Sequence, residues 1–105
     1  MRNPPKHLSD AARKWFRETA KQFEFETSAE WELLTQAAGC LHRIEQARAA
    51  IEEHGLCVPT AADGVKPNPA CGIERDNRIL FSRIVRELRL NDNQTDDETR
   101  PPRLR

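Results

Sequence analysis

The stretch from Thr27 to Gly55 constrains the fold more than any other part of this chain. It opens on Thr27-Ser28-Ala29-Glu30, the residue types of a capping box, ahead of Trp31 and Leu34. It closes on Gly55, a residue suited to a helix C-terminus. One helix over residues 28–54 follows, on the order of 40 Å long at about 1.5 Å per residue. Within it Leu34, Ala37, Leu41, Ile44, Arg48 and Ile51 step by three and four, a heptad-like seam. Ala38, Ala47 and Ala50 beside the seam permit close approach of another helix. A chain of 105 residues, 37% hydrophobic and 32% charged, is too thin to cover such a rod on every side. Packing within the chain takes part of the seam. For the rest the preferred reading is homo-oligomerisation through Trp31, Leu34, Ala38, Leu41, Ile44 and Ile51.

The flanking segments complete an all-α fold of three main helices in a single domain, residues 9–90. Residues 1–8, with Asn3-Pro4-Pro5, read as an irregular arm. Ser9 is a good N-cap, and Ala12, Trp15, Phe16, Thr19, Ala20 and Phe23 recur at helical spacing, giving a first helix over about 9–23. Leu56-Cys57-Val58, Asp63-Gly64 and the flanking Pro59 and Pro67 mark a short hairpin or ordered loop. Asn68-Pro69 reads as an N-cap followed by proline at the first helical position, opening a third helix to about Leu90. Residues 91–105 are polar, with nothing to bury, and read as a flexible tail.

Formal net charge is zero, 17 basic against 17 acidic side chains, but the charges are segregated. Residues 1–23 hold six basic and two acidic groups, residues 24–64 two basic and eight acidic, and residues 65–90 six basic and three acidic. Segregation of this kind serves a polyanion partner or joins one copy to the next. On the third helix, with Arg75 at zero, Arg78, Ser82, Arg86 and Arg89 fall between about −60° and +20°, and Arg83 near +80°. Ile73, Leu80, Phe81, Ile84 and Leu88 take the opposite side. Guanidinium forks suit phosphate, and each neutralised phosphate releases counterions. A solvated face, or a row that pairs with the acidic middle of a neighbouring copy, carries equal weight. Arg13, Lys14, Arg17 and Lys21 form a weaker second set on the first helix.

No enzyme is expected. Cys40-x-His42 and His54-x-x-Cys57 superficially offer four zinc ligands, but Cys40 and His42, two apart on a helix, point about 200° from each other. No metal site and no cofactor follow. Cys71 reads as a small buried hydrophobe, and the glycines form no phosphate-binding loop. No apolar run exceeds three residues, so no membrane span or signal-peptide core is present, and three cysteines without C-x-x-C suit a reducing cytoplasm.

From Leu8 to Leu104 the chain resembles the small subunit of bacteriophage terminase. The resemblance is carried by Leu8-Ser9 with Ala12 and Trp15, by the long helix closed by Glu53-His54-Gly55-Leu56, and by the Asp63-Gly64 turn. It continues through Lys66-Pro67-Asn68-Pro69-Ala70, Arg86-Glu87-Leu88-Arg89-Leu90 and Arg100-Pro101-Pro102-Arg103-Leu104. Arg89 departs from a glycine favoured by the family, and Asn91-Asp92 from a Ser/Thr-Pro. The resemblance implies a non-catalytic, ring-forming subunit in the host cytoplasm. Such a subunit recognises double-stranded viral DNA and hands it to the large subunit, the ATPase and nuclease of packaging, with residues 91–105 as a contact for that partner. The rival readings are a structural scaffold or connector without DNA binding, and a small helix-turn-helix repressor using the first two helices.

Overall fold

The structure, a computed structural model, describes residues 2–90; the tail expected over residues 91–105 lies outside the described residues. Three helices and one small sheet follow in order: α1 (Asp10–Gln22), α2 (Ser28–His54), β1 (Cys57–Pro59), β2 (Val65–Pro67) and α3 (Pro69–Glu87). Each helix starts where a side chain satisfies a free backbone amide. Ser9 Oγ accepts the Ala12 N–H at 3.1 Å. Both halves of the capping box form at α2: Thr27 Oγ1 accepts the Glu30 N–H at 3.1 Å, and Glu30 Oε1 accepts the Thr27 N–H at 3.2 Å. Asn68 Oδ1 accepts the Ala70 N–H at 3.0 Å, with Pro69 opening α3.

The segment between α2 and α3 is a hairpin. β1 and β2 pair antiparallel with Cys57 opposite Pro67, Val58 opposite Lys66 and Pro59 opposite Val65. The left-handed position of its loop falls on Asp63, at φ 63°, rather than on Gly64. Asp tolerates that conformation better than most residues. Asn68 joins three elements: its Nδ2 donates to the Gly55 carbonyl at 2.9 Å and its backbone N–H to the Leu56 carbonyl at 2.8 Å.

Packing is uneven along the molecule because the helices differ in length. α1 has 13 residues and α2 has 27, so at about 1.5 Å per residue α1 covers half of α2. The core lies in that half. Phe16, Leu34, Leu88 and Cys40 are its largest fully buried side chains, and Leu8, Ala12, Ala20, Phe23, Phe25, Trp31 and Ile84 complete most of it. Trp31 stacks near Phe16 and Phe25, with ring centroids 6.1 and 5.3 Å away, and Trp15 of α1 meets Phe81 of α3 at 5.2 Å. The arm is part of this end: Pro4 and Leu8 are buried and the Arg2 guanidinium lies over the Trp31 ring. Beyond it α2, α3 and the hairpin project as a two-helix stalk.

Three expectations change. The α2 seam is core: Trp31, Leu34, Ala38 and Ile44 are buried inside the chain, while Leu41 and Ile51 are half-buried. The reason is that α1 and α3 both pack on α2, so a seam read as an interface between copies is used within one. On α3, Ile84 and Leu88 are buried, but Ile73 and Leu80 remain exposed. The third change is at the end of α3. Leu88 caps the helix and Arg89 turns left-handed at φ 62°. The Arg89 N–H returns to the Arg86 carbonyl and the Leu90 N–H to the Val85 carbonyl, both at 3.0 Å. This is a Schellman motif with arginine in the position glycine prefers.

Candidate nucleic-acid interface

The face that α3 turns to the core decides which arginines are free. Ala70, Ile84 and Leu88 are buried, and Glu74, Asn77, Phe81 and Val85 are half-buried. On a helical wheel these positions centre about 40° from the apolar side expected from hydrophobicity alone. The outward direction therefore runs through Ile79, with Arg75, Arg83 and Arg86 around it, all four exposed. Ile79 interrupts what reads in the sequence as a purely polar row.

Arg78 sits at the edge of this face. Its Nε donates to Glu74 Oε1 at 3.2 Å, while Arg48 Nε of α2 donates to Glu74 Oε2 at 3.0 Å. One carboxylate thus ties the two helices of the stalk. The two arginine hydrogen bonds hold the Glu74 carboxyl below its ordinary pKa. Arg75 Nε reaches Asp76 Oδ1 at 3.3 Å, an exposed pair of little strength. Among the described residues neither Arg83 nor Arg86 pairs with a carboxylate. Arg86 borders a groove of about 490 Å3 whose other walls are Phe81, Ser82 and Val85. Arg89 lies past the helix end, half-buried, so it does not continue the row.

The second basic set is on α1. Lys14, Arg17 and Lys21 are exposed; Lys14 lies 3.8 Å from Glu18. Arg13 pairs with Asp10, and its Nε is buried with no hydrogen-bond partner. Trp15 of α1 meets Phe81 of α3, and Arg13 and Arg17, two positions either side of it, point about 160° away. The fold therefore keeps the α1 set and the α3 set on different flanks rather than in one patch.

The cysteine and histidine pairs also separate. Cys40 is buried, and burial pushes its thiol pKa up, whereas Cys57 is exposed in β1. His42 turns to α1, where its Nδ1 accepts the Ser9 N–H at 3.1 Å and His7 lies edge-on at 6.1 Å. That link, 33 residues apart in sequence, carries no local signal that could have revealed it. Among the described residues no three metal-ligating side chains come together, and no helix is long and apolar enough to cross a membrane. Comparisons of the chain with protein-family models, with curated proteins and with solved structures find no match.

Proposed function

We propose that this chain is a non-catalytic DNA-binding adaptor of the terminase small-subunit type. In this reading it assembles with copies of itself, holds double-stranded viral DNA and presents it to a large ATPase–nuclease subunit, with residues 91–105 as the contact for that partner. The observation that carries the DNA part is the outward face of α3, where Arg75, Arg83 and Arg86 are exposed and two of the three have no carboxylate partner among the described residues. A guanidinium without an internal partner is available for bidentate phosphate contact. A second support comes from the end of α3. The position at which the resembled family carries glycine is the one at which this backbone turns left-handed, Arg89.

The geometry weighs against the helix-turn-helix reading. A recognition helix presents the residues of its N-terminal turns to base edges between two phosphate backbones. Here those turns of α2 carry Glu30 and exposed Glu32 and no basic residue, a charge that phosphates repel. The scaffold reading keeps one observation in its favour, the exposed Ile73, Ile79 and Leu80.

A mobility-shift titration with duplex DNA tests the proposal. Arg83→Glu/Arg86→Glu is expected to weaken binding by at least 100-fold, on the order of two phosphate contacts replaced by repulsion. Helicity and oligomeric mass should stay unchanged. Equal binding by wild type and variant, or no binding by either at low salt, refutes the DNA reading. Arg78→Glu is a poor substitute, because it sets a second carboxylate against Glu74.

A further inference from the structure

The last described residue is tied to the wall of a groove. Phe81, Ser82, Val85 and Arg86 of α3 line about 490 Å3. At the turn that ends α3, the Leu90 N–H returns to the carbonyl of Val85, one of the lining residues. Residue 91 therefore starts at the rim of this groove. The surroundings are basic. From Arg78 to Leu90 the sequence holds four arginines and one acid, Glu87. On the wheel Glu87 lies about 100° from Arg86 on one side, while Ser82 and Val85 lie about 40° and 100° from it on the other. The groove side of Arg86 thus carries no carboxylate from this stretch. Among the described residues neither Arg83 nor Arg86 pairs with an acid. Glu74, about two turns before Ser82, is taken by Arg48 and Arg78. Where α1 adjoins, at Trp15, its Lys14 and Glu18 pair with each other at 3.8 Å.

The sequence that follows has the opposite sign. Residues 91–99 contain Asp92, Asp96, Asp97 and Glu98 and no basic residue. Asp96 is six residues beyond Leu90, a reach of about 20 Å when extended, against about 10 Å of helix from Leu90 back to Arg83. We propose that residues 91–98 turn back along α3 into this groove and set Asp96, Asp97 and Glu98 against Arg83 and Arg86. Phe81 and Val85 give the segment an apolar wall, and the Ser82 hydroxyl and the guanidinium groups give it polar partners. A tether this short holds the acids at millimolar effective concentration, so even a weak contact is well populated. The chain thus carries its own competitor for a polyanion on this face. That consequence rests on the DNA reading above: duplex must displace the acids, and a partner that draws away residues 91–105 frees the arginines. The contact itself does not depend on DNA.

The contact is tested without DNA. In the full chain carrying Cys57→Ser, Cys71→Ser and Thr99→Cys, a nitroxide is attached at position 99; the remaining thiol, Cys40, is buried. Paramagnetic broadening is expected to remove the amide signals of Ser82, Arg83 and Arg86. Asp96→Asn/Asp97→Asn/Glu98→Gln should restore them, and so should Arg86→Gln for Ser82 and Arg83. Equal broadening with and without the acids overturns the proposal. So does broadening that appears when nitroxide and isotope sit on different chains, which assigns the groove to the segment of a neighbouring copy. In a mobility-shift titration the neutralised chain should bind duplex DNA roughly 10-fold more tightly than wild type. Equal affinity overturns the competition. If neither chain binds DNA, the DNA reading fails, and the nitroxide result still decides the contact.

Discussion

Arg89 and Arg86 are the same residue type three positions apart, and glycine is expected to act on them with opposite sign. Arg89 holds φ 62° at the C-terminal turn of α3, where a side chain crowds its own carbonyl at a cost of about 1 kcal/mol or more. Glycine carries no such cost there. The turn is worth keeping: it closes two hydrogen bonds of 3.0 Å and buries Leu90 against the core. Arg89→Ala removes the side chain but keeps the strained backbone, so the difference between Arg89→Gly and Arg89→Ala isolates the backbone effect. Glycine should be more stable by about 1 kcal/mol. In a domain of this size that is a rise of about 4–8 °C in melting temperature. Arg86 lies within the helix and is exposed, so Arg86→Gly should cost about 1 kcal/mol relative to Arg86→Ala. Thermal unfolding followed by circular dichroism at fixed protein concentration reads all four variants. If Arg89→Gly melts at or below Arg89→Ala, the left-handed turn is not how α3 ends.

Asn68→Ala should destabilise by about 1–3 kcal/mol in urea unfolding, because the α3 cap and a buried partner of the Gly55 carbonyl go together. Asn68→Asp keeps the capping oxygen but not the donor, and should fall between. Glu74 titrates lower when folded than unfolded, so its tie to Arg48 and Arg78 stabilises fully above the ordinary carboxylate range. That contribution fades as pH drops through this range and is gone below the folded value. The stability gap between wild type and Glu74→Gln should accordingly be wide at neutral pH and narrow in acid, and a gap independent of pH would contradict the pairing. Under native conditions a thiol reagent should label exposed Cys57 first and Cys40 only on unfolding, as mass spectrometry of timed aliquots would record.

What can be read in the sequence is what is decided over three or four residues. Ser9, Thr27 and Asn68 announce the helix starts because their side chains reach amides two or three positions on. The glycine that stops α2 is equally local. The orientation of α3 is not local: it is set by how α3 packs on α2 with Phe81 turned to Trp15 of α1, and this leaves Ile73 and Leu80 outside. The Glu74–Arg48 pair joins residues 26 apart, and nothing in the spacing of α3 predicts that Arg78 is drawn into it. The arginine row is thus visible as a row. Which of its members are free depends on the fold.

The salt dependence of duplex DNA binding tests the central claim most directly. Plotted as log affinity against log salt, wild type should fall with a slope of about −0.9 for each phosphate neutralised, near −3 per chain for Arg75, Arg83 and Arg86. Arg86→Ala should weaken binding across unrelated sequences and make the slope shallower by about one. A wild-type slope near zero, or an Arg86→Ala slope equal to that of wild type, contradicts the assignment of this face to DNA.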